Sequence, residues 1–197
     1  MFMPATRRRW TTADVRELTD ESRPWPRYEL IDGDLLVTPA PGSRHQVAVT
    51  ELLILLSAHL EKVPVGLALA SPADLELRIG TITQPDVFVV PAETKLAGEY
   101  LEWPDVKTLL LAVEILSPSS LRTDRVVKRD FYLDAGVHEY WIVDLDAAVI
   151  ERWTPARDTP EILRDRIDWM PGDADPLSVD VRALFERIGR KARMFAR

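Results

Sequence analysis

Hydrophobic positions along the chain recur at two spacings, which divide the sequence into predicted helices and strands. Apolar residues from Val49 to Leu60 keep helical spacing and predict a long helix over residues 44–62, which Pro64 ends. Alternating or continuous apolar runs predict strands over residues 65–70, 74–79, 85–90 and 108–116. The last run is almost entirely apolar, which is typical of a strand covered on both faces in the middle of a sheet.

Turn and capping residues complete the outline of the fold. Asp32-Gly33 separates two strand-like runs and predicts a tight hairpin over residues 27–37. Further predicted elements are helices at residues 12–18, 121–135 and 181–188, a hairpin at residues 139–153 and edge strands within residues 161–169. This order predicts an α/β fold in one domain spanning residues 1–197: a central mixed β-sheet flanked by helices, with an N-terminal β-hairpin.

The composition limits the classes of function. The chain has 197 residues, of which 46% are hydrophobic, as in an ordinary globular domain. It contains no cysteine, so any metal site must use carboxylate, carbonyl, water or histidine ligands. Residues 1–10 lack the apolar stretch of a secretory signal, and the longest apolar runs are too short to cross a bilayer. We therefore expect a cytoplasmic protein with no membrane partner.

The net charge of −7 argues against a protein coated in positive charge for DNA binding. Basic residues are nevertheless concentrated at both ends, in Arg7-Arg8-Arg9 and in the acid-poor tail over residues 187–197. These ends suit contact with a polyanion, but solvated tails are the simpler explanation.

Two carboxylates occupy unusual positions beside apolar strands. Asp86 begins the run Asp86-Val87-Phe88-Val89-Val90, and Glu114 lies near the end of the buried central strand. Burying an acid is unfavourable unless it is paired or holds a cation. If the two strands are neighbours, these hard oxygen ligands suit Mg²⁺ or Mn²⁺. The alternatives are a turn acid at Asp86 and an arginine-paired acid at Glu114.

Lys128 adds a cation to the two acids. It follows Glu114 by fourteen residues and shares a predicted helix stripe with Asp124 and Tyr132. A surface Asp–Lys pair is the simpler explanation of that spacing. Glu29, in the first hairpin, either completes the acid cluster or faces solvent.

Histidines and tryptophans give weaker signals. His45 begins the long helix and is interpreted as a packed or capping residue rather than a ligand. His59 and His138 are interpreted as structural, and the six tryptophans are dispersed.

Several segments together resemble the Uma-type restriction endonuclease family of the PD-(D/E)XK nuclease superfamily. The segments are Glu29-Leu30-Ile31-Asp32-Gly33-Asp34-Leu35, Arg44-His45, Pro85-Asp86-Val87, Val113-Glu114-Ile115-Leu116-Ser117-Pro118-Ser119, Lys128, and residues 132–144. The resemblance covers about residues 25–155. It implies a central mixed sheet with flanking helices and a magnesium-dependent site.

The resemblance also implies roles for individual residues. Asp86, Glu114 and the carbonyl of Ile115 would hold Mg²⁺, and Glu29 would be an auxiliary acid. The superfamily's lysine usually stands two residues after the second acid, where this chain has Leu116. In this family the lysine lies on the following helix, which points to Lys128.

Two functions follow, besides that of a plain structural domain. The intact acid pair favours a Mg²⁺-dependent endonuclease that hydrolyses DNA, whereas the acidic charge favours a catalytically weak nuclease-fold module that binds nucleic acid or regulates. The sequence leaves open DNA versus RNA and the sequence recognised. Because nucleases often pair two sites to cut two strands, a homodimer is also expected.

Overall fold

The computed structural model describes residues 9–19, 25–117 and 120–194. Arg7, Arg8 and Arg197 of the predicted basic ends lie outside these ranges, as do Pro118 and Ser119. Among the described residues, no helix is both long and apolar enough to cross a membrane.

A six-stranded mixed sheet forms the centre of the molecule, as predicted. Its strands are β3 (Gly66–Ala70), β4 (Val87–Pro91), β5 (Leu111–Ile115), β6 (Glu139–Asp144), β7 (Val149–Trp153) and β8 (Glu161–Leu163). They lie side by side in that order, and among them only β5 and β6 run parallel. The parallel pair requires a crossover connection, and helical residues 121–134 supply it.

Helices cover both faces of this sheet. The helices are α1 (Thr12–Leu18), α2 (Ser43–Leu60), α3 (Arg129–Asp134) and α4 (Val181–Ala192). Leu52 and Leu56 of α2 and Leu184 of α4 join a core with Val113 of β5. Phe131 and Tyr132 of α3 join the core on the other face with Phe88 and Ala112. The sheet is therefore the middle layer, which explains why β5 is apolar on both faces.

The N-terminal hairpin pairs β1 (Arg27–Ile31) with β2 (Asp34–Thr38) around Asp32-Gly33, as predicted. Both turn residues have positive φ, 49° at Asp32 and 82° at Gly33, which an Asp-Gly turn accommodates. The hairpin meets the rest of the chain through an antiparallel bridge between Leu30 and Ile82. This bridge places β1 beside the residues that lead into β4.

Three predicted elements differ from the structure. Residues 74–79 form no strand, because only Leu75 pairs, in an isolated bridge with Thr83. The alternation arises because Leu75 and Leu77 are buried while Glu76 between them is more exposed, without a neighbouring strand. The region 161–169 supplies one sheet edge, β8, but β9 (Arg166–Trp169) pairs separately with β10 (Leu177–Asp180). The predicted helix over 121–135 contains a π-helical turn at Thr123–Lys128.

A buried ion-pair cluster fastens α4 to α2. Glu51 of α2 is only 6% exposed and accepts hydrogen bonds from Arg187, at 3.2 Å, and from Lys191. The hydrogen bond from Lys191 outweighs burial and, with Arg187, lowers the pKa of Glu51. The cluster thus explains part of the predicted basic tail as a structural feature.

We expect Glu51→Gln to reduce the free energy of unfolding at neutral pH by about 1–2 kcal/mol, since hydrogen bonds to charged groups are lost. Because the folded-state pKa is depressed, this stabilisation is present above the unfolded pKa and is lost as the pH falls through the folded value. Urea denaturation at neutral and acid pH measures the difference. The exposed Glu61→Gln is the control, and an equal effect in both variants would contradict the assignment.

Candidate active site

Strand pairing brings the two predicted acids together. Val87 of β4 is paired with Val113 of β5 in antiparallel register. One further residue on each strand places Asp86 beside Glu114. The main-chain N–H of Ile115 donates to Oδ2 of Asp86 at 2.9 Å, which fixes this carboxylate at the end of β5. The expected neighbourhood of Asp86 and Glu114 is therefore present.

The side chains of His45 and Arg27 surround Asp86. Nε2 of His45 lies 3.0 Å from Oδ2 of Asp86, and a guanidinium nitrogen of Arg27 lies 3.6 Å from Oδ1. Burial raises the pKa of Asp86, but the hydrogen bond and charge of His45 and the N–H of Ile115 outweigh it, so the pKa lies below its usual value. Asp86 is therefore an anion held by a histidine that α2 supplies.

Lys128 lies against the other acids. Its Nζ is 2.9 Å from Oε1 of Glu114 and 2.8 Å from Oε2 of Glu29. Tyr132, one helical turn on, donates its hydroxyl to the same Oε1 of Glu114 at 3.1 Å. All four side chains are buried, so the interpretation of Lys128 as part of a surface pair is wrong.

Glu29 faces this cluster rather than solvent. Its Oε1 accepts the main-chain N–H of Gln84 at 2.8 Å, while Oε2 holds Lys128. Because both carboxylate oxygens of Glu29 contact protein groups, this side chain connects the hairpin to the segment that leads into β4, and it orients Lys128.

The charges of the cluster shift one another's pKa values. Burial disfavours the Lys128 ammonium, but Glu114, Glu29 and Asp124 outweigh it and raise the pKa of Lys128 well above its usual value. Burial also raises the pKa of Glu114, and the nearby acids add to this effect against the attraction of Lys128. Lys128 therefore remains charged among three acids.

Asp124 is the third acid beside Lys128. The π-helical turn directs both Asp124 and Lys128 inward, while Val126 and Val127 between them are exposed. Oδ1 of Asp124 lies 3.9 Å from Nζ of Lys128, and no group among the described residues is hydrogen-bonded to this buried oxygen. Burial raises the pKa of Asp124 to about 6, despite the opposing attraction of Lys128.

We expect Asp124→Asn to stabilise the fold at neutral pH. The folded pKa of about 6 exceeds the ordinary 3.8, and about two pKa units correspond to about 3 kcal/mol, which is the upper value of the gain. The folded state binds the Asp124 proton more tightly than the unfolded state does. The free energy of unfolding of the wild type therefore rises as the pH falls from above 6 towards 3.8, and the stabilisation gained by Asp124→Asn shrinks. Denaturant titrations from neutral to acid pH measure it, and a gain that did not change with pH would contradict this origin.

A cavity of about 660 Å³ opens onto these groups. Its walls come from the end of β5, the segment between β2 and α2, the crossover helix and the β6–β7 turn. Residues that line it include Arg27, Glu29, Arg44, His45, Asp86, Glu114, Ile115, Asp124, Lys128 and Asp146. The site is thus accessible to a ligand rather than sealed in the core.

The donor set fits a hard divalent cation chemically. Oε2 of Glu114 receives no hydrogen bond from the described residues, and Oδ1 of Asp86 faces only Arg27, at 3.6 Å. Carboxylate oxygens of this kind are the ligands that Mg²⁺ and Mn²⁺ prefer. Across residues 9–19, 25–117 and 120–194, however, no three acids or histidines are already arranged as a metal cage. Lys128 and His45 hold the acids instead.

The structure brings together every candidate side chain named from the sequence: Glu29, Asp86, Glu114 and Lys128. His45 was expected to be a packed or capping residue, and the structure adds a specific partner to that expectation, the Asp86 carboxylate. Arg27 was not selected from the sequence, although its position two residues before Glu29 on the same strand was a usable signal. The ring of His59 packs edge-on against Trp169, and its Nε2 is hydrogen-bonded to the main-chain carbonyl of Asp175, as expected of a structural residue.

The mixed sheet, its flanking helices and the acids at adjacent strand ends define a restriction-endonuclease-like fold. A "putative nuclease belonging to DUF820" from Anabaena variabilis ATCC 29413, known from a crystal structure, superposes with a TM-score of 0.72. The two sequences are 20% identical, and the match covers 91% of this chain and 99% of the other. No curated protein gives a significant sequence match.

The model of the Uma2 family, described as "Putative restriction endonuclease", matches residues 12–174. The chain therefore belongs to the Uma2 family, and the match extends beyond residues 25–155 on both sides. The predicted family and fold class are confirmed.

Proposed function

We propose that this protein is a divalent-metal-dependent endonuclease that hydrolyses DNA phosphodiester bonds. The observation that carries the proposal is the meeting of Asp86 and Glu114 at adjacent strand ends, with the Lys128 ammonium 2.9 Å from Glu114 in an open cavity. Membership of a nuclease family supports the reaction class. The metal and the DNA substrate are our inference from the donor set and the charges.

Asp86, Glu114 and the main-chain carbonyl of Ile115 would hold Mg²⁺ or Mn²⁺. When bound, such a cation lowers the pKa of a water ligand and neutralises charge on phosphate oxygens. The remaining roles belong to the protein. His45 and the N–H of Ile115 keep the Asp86 carboxylate ionised and oriented.

Lys128 would orient the attacking water and offset negative charge near phosphorus. A bond forms between the water oxygen and phosphorus as the water loses a proton to solvent, and the bond from phosphorus to the leaving sugar oxygen breaks as that oxygen takes up a proton from solvent. Glu29 holds the ammonium within the acid cluster through its 2.8 Å contact. Arg27 and Arg44, which line the same cavity, are the cations available for backbone phosphates.

The test is incubation of purified protein with plasmid and with single-stranded DNA, in Mg²⁺, in Mn²⁺ and in EDTA, beside Glu114→Ala. We expect cutting that requires the metal and is lost in the variant. Full activity in both Glu114→Ala and Asp86→Ala would refute the proposed site. An absence of cutting on every substrate would favour the alternative, a catalytically weak module that binds nucleic acid or regulates.

One site per chain cuts one strand at a time, so we expect a homodimer to act on duplex DNA. Light scattering of the free protein and of its complex with duplex measures the number of copies. A monomer in both states that still made double-strand breaks would contradict this expectation.

A further inference from the structure

Asp124 holds a buried acceptor that no described residue uses. The residue is 1% exposed, and Oδ1 receives no hydrogen bond from the described residues. Leaving a buried polar atom unsatisfied is costly, so its persistence calls for an explanation. The nearest cation is the Lys128 ammonium, whose Nζ is 3.9 Å away.

The position of Lys128 conflicts with metal binding at Glu114. Its ammonium occupies Oε1 of Glu114 at 2.9 Å, and Tyr132 donates to the same oxygen. A divalent cation on this carboxylate would lie close to the ammonium, and like charges repel strongly in a buried site. This inference rests on the proposed function, because it assumes that Glu114 is a metal ligand.

The surroundings of Lys128 leave space for a shift. An adjoining cavity of about 170 Å³ between the hairpin and the π-helical turn is lined by Glu29, Thr38, Thr123, Asp124 and Lys128. The Glu29 contact, at 2.8 Å, can persist while the ammonium moves, since Glu29 lines both cavities. Asp124 lies four residues before Lys128 on the same inward face.

We propose that Lys128 has two acceptor positions and that Asp124 is the second: the ammonium pairs with Glu114 in the metal-free protein and moves onto Oδ1 of Asp124 when Glu114 binds a divalent cation. Asp124 is then a positioning residue. It touches neither metal nor substrate, and it acts by receiving the lysine that would otherwise compete for Glu114.

A double-mutant cycle read by calorimetric titration with MgCl₂ or MnCl₂ alone, without DNA, tests the proposal. We expect Asp124→Asn to weaken cation affinity about tenfold or more, since losing an outer partner of a metal ligand costs about 10–100-fold. In a Lys128→Met background the same substitution should have no effect, because the lysine that needs the acceptor is absent. Asp130→Asn, an exposed acid on the same helical segment, is the matched control and should leave affinity unchanged.

Two outcomes would overturn this proposal but leave the metal site standing. One is an unchanged cation affinity in Asp124→Asn, and the other is an equal loss of cation affinity with and without Lys128. A wild-type protein that bound neither cation would overturn the metal site and this inference together. If Lys128→Met does not fold, lysine-selective NMR replaces the cycle, since the chain has only five lysines. A cation-induced shift of the Lys128 resonance in wild type that disappears in Asp124→Asn supports the proposal, and an identical shift in both refutes it.

Discussion

Asp86→Asn should reduce the rate of DNA cleavage by more than about 100-fold, because losing an outer partner of a metal ligand already reduces activity or affinity 10–100-fold. The amide keeps the shape of the carboxylate but removes the charge that the proposed cation needs. Its oxygen can still accept the N–H of Ile115. The fold should therefore survive, and kcat/KM on a plasmid in saturating Mg²⁺ measures the effect.

Asp146→Asn is the matched control for this substitution. Asp146 lines the same cavity, but its side chain is 88% exposed and it pairs with Arg44 at the rim. A surface ion pair of this kind contributes about 1 kcal/mol at most, so cleavage should change by no more than about tenfold. Equal losses in the two variants would show that the general acidity of the cavity matters rather than the position of Asp86.

Lys128→Met should destabilise the fold by about 3–5 kcal/mol at neutral pH, since removing one partner of a buried ion pair leaves the other charges uncompensated. Met approximates the length of the lysine stem, but Glu29, Glu114 and Asp124 lose their shared cation. Cleavage should also be lost. Thermal unfolding with a denaturant titration measures the stability, and the exposed Lys107→Met is the control.

The destabilisation of the fold by Lys128→Met should be smaller at acid pH. The pKa values of Glu114 and Asp124 are already raised by burial, and removing Lys128 raises them further. A carboxyl whose folded-state pKa is raised gives a fold that gains stability as the pH falls through that value. A destabilisation that stayed constant from neutral pH to about pH 5 would show that packing, not charge, is the origin.

The features that the sequence predicted are those with local signals. The hairpin followed from Asp32-Gly33, and β4 and β5 followed from continuous apolar runs. Asp86 and Glu114 stood out because acids are rare beside such strands. Their meeting was conditional on the two strands being neighbours, and the pairing of β4 with β5 meets that condition.

The features that the sequence missed depend on contacts between distant segments. His45 meets Asp86 across 41 residues, and one histidine at a helix start carries no sign of that partner. Residues 74–79 alternate like a strand, but alternation records only which side chains are buried and does not reveal a missing neighbour. The chain also gave no signal for the π-helical turn, since hydrophobic spacing over six residues cannot separate π from α geometry.

Because of the π-helical turn, the geometry of the site depends on the number of residues between Glu114 and Lys128. Each helical residue turns the next by roughly a quarter of a full turn, so deleting one residue between Asp124 and Lys128 would rotate one side chain away from the other by about that angle. The exposed Val126 and Val127 can change identity without this consequence. The crossover should thus tolerate substitution on its outer side, whereas an insertion or deletion would misdirect the lysine even in a chain that still folds.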